Sequence, residues 1–170
     1  ESAHQLPNVP PGHKCGRMHG HGFIVAVHCQ QKLGEKDMGV DFDQIDRCWQ
    51  PLQEQLDHAC LNDIPGLDNP TSEHIAGWIW QRLKQTLPEL SWVTVYETAS
   101  AGCSHDGTHY RIWKEMTLDS AVRLRHAPKG DRRRRIHGHT FTVRLHLSAP
   151  LNQVMGWAMD FGDVKECFRP

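Results

Sequence analysis

Long apolar runs are missing from this 170-residue chain. No stretch approaches the roughly 20 apolar residues of a membrane-spanning helix, and no charged-then-apolar leader opens it. Membrane insertion and export are therefore not expected, and a cytoplasmic location is. An excess of one charge is absent as well: the formal net charge of -1 argues against the uniformly basic surface of a general nucleic-acid binder. Paired cysteines are lacking too. Cys15, Cys29, Cys48, Cys60, Cys103 and Cys167 form no C-x-x-C pair, which removes both a four-cysteine zinc ribbon and a thioredoxin-type redox site. Free thiols in a reducing compartment fit better. There is no initiating methionine, and the last residue, Pro170, follows shortly after a helix-like pattern begins, so a piece of something longer is expected.

What the chain does have is histidine, thirteen of them. Neutral imidazole is the commonest ligand for zinc and related metals, so their placement matters. They fall within an internal repeat. His19-Gly20-His21-Gly22-Phe23-Ile24-Val25 recurs as His137-Gly138-His139-Thr140-Phe141-Thr142-Val143, an offset of 118 (137 minus 19). The same offset pairs Ser2, Ala3 and Leu6 with Ser120, Ala121 and Leu124, and one residue further on Asp41-Phe42 reappears as Asp160-Phe161. Two units are expected: residues 1–115, and residues 116–170 as a partial second copy. A period this long is tandem duplication and not a solenoid.

Within the first unit, residues 19–29 alternate as a strand that puts His19, His21, Phe23, Val25, Val27 and Cys29 on one face. Ile45, Trp49, Leu52 and Leu56 make a helical stripe that Pro51 must kink or bound. Thr71 reads as the N-cap of a second helix with Ile75, Trp78, Ile79, Leu83 and Leu87 inward, ended by Pro88. Residues 92–98 and 108–113 read as a hairpin across a turn at 102–107. Two strands, two helices and two strands imply an α+β fold with both helices on one face of an antiparallel sheet.

Zinc needs three or four converging ligands at about 2.0–2.3 Å, and a catalytic site leaves one position open. His19 and His21 supply two from one strand face, His4 offers a third from a neighbouring strand, and Cys15 lies four residues before His19. An H-x-H alone also occurs by chance on exposed strands; His4 and Cys15 shift the reading toward a site. Asp57-His58 is either an ordinary helix end or an imidazole steered by a carboxylate. Glu97 alternates in phase with Val93 and Val95, so it is either a solvated strand-end acid or a carboxylate on an apolar face that needs a partner.

Taken together, His4 in A-H-x-L, Cys15-x-x-x-His19-Gly20-His21, Asp41-Phe42, Leu56-Asp57-His58 with Leu61-Asn62, Pro70-Thr71-Ser72-Glu73 and Tyr96-Glu97-Thr98 resemble the 6-pyruvoyltetrahydropterin synthase family over nearly all of the first unit. The three residues between cysteine and histidine look like the bacterial 6-carboxytetrahydropterin synthase branch. The resemblance implies the tunnelling fold (T-fold), a homo-oligomer with active sites at unit interfaces, and 7,8-dihydroneopterin triphosphate as substrate. The implied reaction releases acetaldehyde and triphosphate on the deazapurine route to queuosine. Formation of 6-pyruvoyltetrahydropterin is the alternative chemistry, and a non-catalytic pterin-binding scaffold the alternative class. The resemblance further implies that Zn2+ is held by His4, His19 and His21, that Cys15 is the catalytic thiol with Asp57 and His58 as a proton-relay pair, and that Glu97 anchors the pterin with Thr71 beside it. His74 departs from the family, which usually has Asn there.

In the second unit the offset replaces His4 by Val122 and Cys15 by Arg133, leaving only His137 and His139. A degenerate, structural copy is expected unless His126 rebuilds the metal site. The run Arg132 to Arg135 is a solvated loop, a triphosphate-binding element with guanidinium forks suited to it, or an RNA contact that the near-neutral charge disfavours.

Overall fold

A computed structural model describes residues 1–34 and 37–168. The element order is β1 (Ser2–His4), β2 (His19–His21), β3 (Ile24–Cys29), α1 (Phe42–Leu56), α2 (Ser72–Thr86), β4 (Leu90–Thr98), β5 (Ala101–His105), β6 (Tyr110–Val122), β7 (His137–Ser148) and α3 (Phe161–Phe168). Strands β3-β4-β5-β6-β7 form one antiparallel sheet in that order, and β1 pairs with β2 in a separate two-stranded sheet. The architecture is α+β and T-fold. Among the described residues no helix is long and apolar enough to cross a membrane.

The helices form where capping and periodicity ask for them. Asp41 accepts a hydrogen bond from the Asp43 amide (3.0 Å) at the start of α1, and Thr71 accepts one from the His74 amide (3.2 Å) at the start of α2; each satisfies an amide with no intrahelical partner. Pro51 lies inside α1 and does not bound it. Its missing N–H costs a backbone bond, but Leu52 and Leu56 are buried on the helix's inner face and hold the last turns down. The inner face of α2, Ile75, Trp78, Ile79 and Leu83, packs with Leu87 on Leu90, Val93 and Val95 from the sheet. Val25 and Val27 of β3 pack against that cluster. Burying a side chain of this size contributes about 1.5–3 kcal/mol, so this layer is the main core of the first unit.

Two sequence expectations need correction. The expected strand over 19–29 is interrupted after His21: β2 pairs with β1, whereas β3 pairs with β4. The alternation survives the break, since His19, His21, Phe23, Val25, Val27 and Cys29 are all half-buried. The expected turn at 102–107 instead contains β5, so β4 and β6 are separated by a whole strand. Gly102 misleads here. A Cβ on it would sit 2.4 Å from the Val95 carbonyl oxygen and 3.0 Å from the Trp113 ring, so this glycine serves close strand approach and not a turn. The turn is at Gly107, with φ +95°.

β6 runs unbroken through residues 115 and 116 and carries the sheet into the repeated sequence. There the backbone of the first unit recurs. Ser2, Ala3 and His4 pair with His21, Gly20 and His19; Ser120, Ala121 and Val122 pair with His139, Gly138 and His137. A 3-10 turn over Lys14–Gly16 recurs over Arg132–Arg134. The Leu6 amide donates to the Cys15 carbonyl (2.8 Å), and the Leu124 amide to the Arg133 carbonyl (2.8 Å).

Candidate metal centre

β1 and β2 bring His4, His19 and His21 together. Their ring centroids lie 4.5 Å (His4–His19), 5.2 Å (His4–His21) and 5.1 Å (His19–His21) apart, and one ligand nitrogen from each lies within 4.8 Å of the others. Two tautomers are fixed by the backbone. The His4 Nδ1–H donates to the Pro70 carbonyl (2.8 Å) and the His19 Nδ1–H to the Arg17 carbonyl (2.7 Å); because a carbonyl only accepts, each Nε2 keeps its lone pair. Burial lowers the pKa of His4 and of His21 and so favours their neutral, ligating forms.

The fit to a metal rests on orphaned atoms. His4 Nε2 and His21 Nε2 are buried with no hydrogen-bond partner, an arrangement that costs about 1–3 kcal/mol per atom if nothing binds there. Three imidazoles converging in this way match the protein donor set of a catalytic zinc site.

Beside the triad is a cleft of about 80 Å³ whose lining includes Cys15, Thr71, Ser72, Glu73 and Glu97. Glu97 reaches it from β4, where its oxygens accept from the Ser72 hydroxyl (2.8 Å) and lie 3.7 Å from His21 Nε2. The partner expected for a carboxylate in phase with Val93 and Val95 is therefore Ser72. Cys15 sits in the Lys14–Gly16 turn; burial pushes its thiol pKa up, Lys14 opposes this, and Glu97 and Asp160 add to it. The Thr71 hydroxyl donates to the Gly156 carbonyl (2.8 Å) while capping α2, so its hydrogen is already committed within the protein.

Asp57 and His58 form a pair, with Asp57 Oδ2 and His58 Nδ1 at 3.0 Å, at the C-terminal end of α1, where His58 takes φ +56°. They do not join the triad's cleft. Asp57 instead lines a separate groove of about 370 Å³ with Phe23, Trp49 and Leu56.

Sequence reasoning missed the wall that the second unit contributes: Trp157, Met159, Asp160, Phe161 and Gly162 line the Cys15 cleft. The repetition of Asp41-Phe42 as Asp160-Phe161 was the available signal. The second unit's own histidines, His137 and His139, lie 4.9 Å apart with His137 Nδ1–H donating to the Arg135 carbonyl (2.8 Å), as His19 does to Arg17. Among the described residues no third ligand completes a group with them; His126 lies with Arg123, Arg125 and Arg133 along another exposed hollow. Arg133 is bound by Asp131 (2.7 and 3.0 Å), and Arg134 donates to the Ala127 carbonyl (3.0 Å).

Comparison with known proteins agrees with this duplication. A family model described as 6-pyruvoyl tetrahydropterin synthase matches residues 1–108 and again residues 111–170. The 6-carboxy-5,6,7,8-tetrahydropterin synthase of Synechocystis sp. is 38% identical over 112 residues, covering 62% of this chain and 85% of its own length. A putative 6-carboxy-5,6,7,8-tetrahydropterin synthase of Archaeoglobus fulgidus is 36% identical over 85 residues, covering 49% of this chain and 69% of its own. The dihydroneopterin monophosphate aldolase of Pyrococcus furiosus is 37% identical over 71 residues, covering 42% and 60%.

Proposed function

The chain belongs to the 6-pyruvoyl tetrahydropterin synthase family, and on that premise we propose that it is a zinc-dependent 6-carboxy-5,6,7,8-tetrahydropterin synthase. Its substrate in this reading is 7,8-dihydroneopterin triphosphate, and it releases acetaldehyde and triphosphate on the route to queuosine. The observation that carries the proposal is the triad, two of its Nδ1 atoms tied to backbone carbonyls and two of its Nε2 atoms buried and unpartnered, next to a cleft that holds both Cys15 and Glu97. The two relatives named 6-carboxytetrahydropterin synthase support the choice of product.

His4, His19 and His21 would hold the zinc, whose chemistry is to polarise substrate hydroxyls as a Lewis acid and ease loss of the neighbouring proton. Every other role falls on side chains. Glu97, steadied by the Ser72 hydroxyl, accepts paired hydrogen bonds from the amino and ring NH groups of a pterin and fixes its orientation. Cys15 takes the proton as a thiolate, which requires a local cation to offset the burial that raises its pKa. Thr71 acts on substrate only indirectly, by holding the start of α2 and the Gly156 carbonyl. Asp57 and His58, remote from this cleft, are assigned to the cleft of a neighbouring copy in a cytoplasmic homo-oligomer with sites between units.

One incubation tests the reading. Purified, zinc-loaded chain given 7,8-dihydroneopterin triphosphate should form a carboxylated tetrahydropterin with stoichiometric acetaldehyde. Triphosphate loss without acetaldehyde would assign the pyruvoyl product, and an unchanged substrate would make the chain a pterin-binding scaffold.

A further inference from the structure

Residues 154–160 of the second unit lie across the first unit, held by its side chains. Asn8 donates to the Val154 carbonyl (2.8 Å), Asn69 to the Met155 carbonyl (2.7 Å) and Thr71 to the Gly156 carbonyl (2.8 Å), while Glu73 accepts from the Ala158 amide (2.9 Å). Gly156 is required at the crossing. Its φ is +73°, and a Cβ there would lie 2.4 Å from the His74 ring. The segment ends at Asp160, the residue with the most specific connection. Its Oδ2 lies 2.9 Å from His13 Nε2, with both side chains largely buried, and its Oδ1 accepts from the Gly162 amide at the start of α3.

The protons on His13 follow from its partners. The Cys15 amide donates to His13 Nδ1 (3.2 Å), so Nδ1 carries the lone pair and Nε2 the hydrogen, which is donated to Asp160. A single tautomer thus links a second-unit carboxylate to the backbone of the residue that bears the thiol. The repeat supplies a comparison. At the position equivalent to His13 stands Asp131, which accepts from the Arg133 amide (2.9 Å) and from the guanidinium of the same Arg133, so its partners lie within its own turn. A carboxylate suffices to cap this turn. An imidazole appears in the unit that has the thiol, where the cap is also connected to Asp160.

We propose that Asp160 of the second unit is a positioning residue for Cys15 of the first, acting through His13, so that the second unit completes the cleft within the same chain. The proposal rests on Cys15 being the proton acceptor of the reaction. Asp160 does not touch the reacting atoms; it fixes the imidazole, and the imidazole fixes the turn that aims the thiol. In Asp160→Asn, the amide cannot accept from both Gly162 and His13. If its NH2 turns toward the ring, either two donors meet or His13 changes tautomer and loses the Cys15 amide. In His13→Asn, the shorter side chain can still cap Cys15 but cannot reach Asp160.

The test uses the full, zinc-loaded chain with Asp160→Asn, His13→Asn and the double variant. Zinc content should match the parent in all three. Iodoacetamide labelling of Cys15 at fixed neutral pH, resolved by peptide mapping, should speed up by about threefold or more in each single variant, because a loosened thiol leaves a half-buried setting beside Glu97 and Asp160. Turnover should fall by about tenfold or more with KM little changed, since positioning acts on the chemical step. The double variant should be no worse than either single, the sign of one shared connection. Unchanged Cys15 labelling in both single variants, or effects that add in the double, would overturn the proposal. A parent chain that labels as expected but turns over no pterin would sink only the functional reading. Should Asp160→Asn not fold, His13→Asn decides alone, because it preserves the cap on Cys15.

Discussion

Val122 stands opposite His137 across β6 and β7, in the register that sets His4 opposite His19 across β1 and β2. The two pairs share one backbone arrangement down to the hydrogen bond on the second histidine's Nδ1. Only a side chain differs. Metal analysis should therefore find close to one zinc per chain, lost in His19→Ala and kept in His137→Ala, because two imidazoles lack the third protein ligand usual for zinc. Val122→His should add a second zinc. Two zincs in the parent, or none gained by Val122→His, would contradict this account of the second unit.

The thiol makes a separate prediction. Cys15→Ala should keep its zinc and its melting temperature within a few degrees yet lose about 10²–10⁴ in kcat, the usual contribution of a positioned proton acceptor. Cys15 contributes to neither the triad nor the buried core, so nothing structural forces a larger loss. Near-parent turnover would remove it from the chemistry.

How far these features were legible depends on how local their causes are. α2 could be placed to within a residue, since Thr71, the apolar stripe and Pro88 are all local signals. β5 was lost because Gly102 looks the same in a sequence whether it serves a turn or lets two strands approach. His19 and His21 are readable because alternation sets both on one strand face, whereas the role of His4 rests on the resemblance to the family. The His13–Asp160 contact was not readable, because it joins residues 147 apart through the docking of one repeat on another. Asp57 and His58 show a third case. Their pairing is encoded locally, but the cleft proposed for them belongs to another copy.

Glu97→Gln should weaken binding of a pterin analogue by about 10-fold or more without releasing metal, because a donor then faces a donor in a partly desolvated cleft. Ser72→Ala removes the hydroxyl that donates to Glu97 and should weaken binding less, by about two- to fivefold. Calorimetric titration with a dihydropterin lacking the triphosphate reads both. Equal affinity in parent and Glu97→Gln would place the pterin elsewhere.

Glu73 gives a prediction in pH. Its carboxyl is buried at the contact between units and accepts from the Ala158 amide; burial pushes its pKa from an ordinary 4.5 up to about 7, with Glu97 adding and the Ala158 N–H opposing. A raised acid pKa means the folded chain binds more protons than the unfolded one between those values. The stability it contributes is complete below 4.5 and is lost as pH rises through about 7, by up to about 3 kcal/mol. His4 and His21 act in the opposite sense in the metal-free chain. Their pKa values are held below 6.5 by burial, so their contribution is present above 6.5 and fades as pH falls through the lowered values. Comparing the parent with Glu73→Gln cancels the histidines, because both proteins carry them, and glutamine keeps an acceptor for Ala158. In urea melts of chelator-treated protein between pH 5 and pH 8, the parent should lose stability relative to Glu73→Gln as pH rises. Parallel curves would mean that Glu73 is ionised in the fold and that the docked segment tolerates its charge.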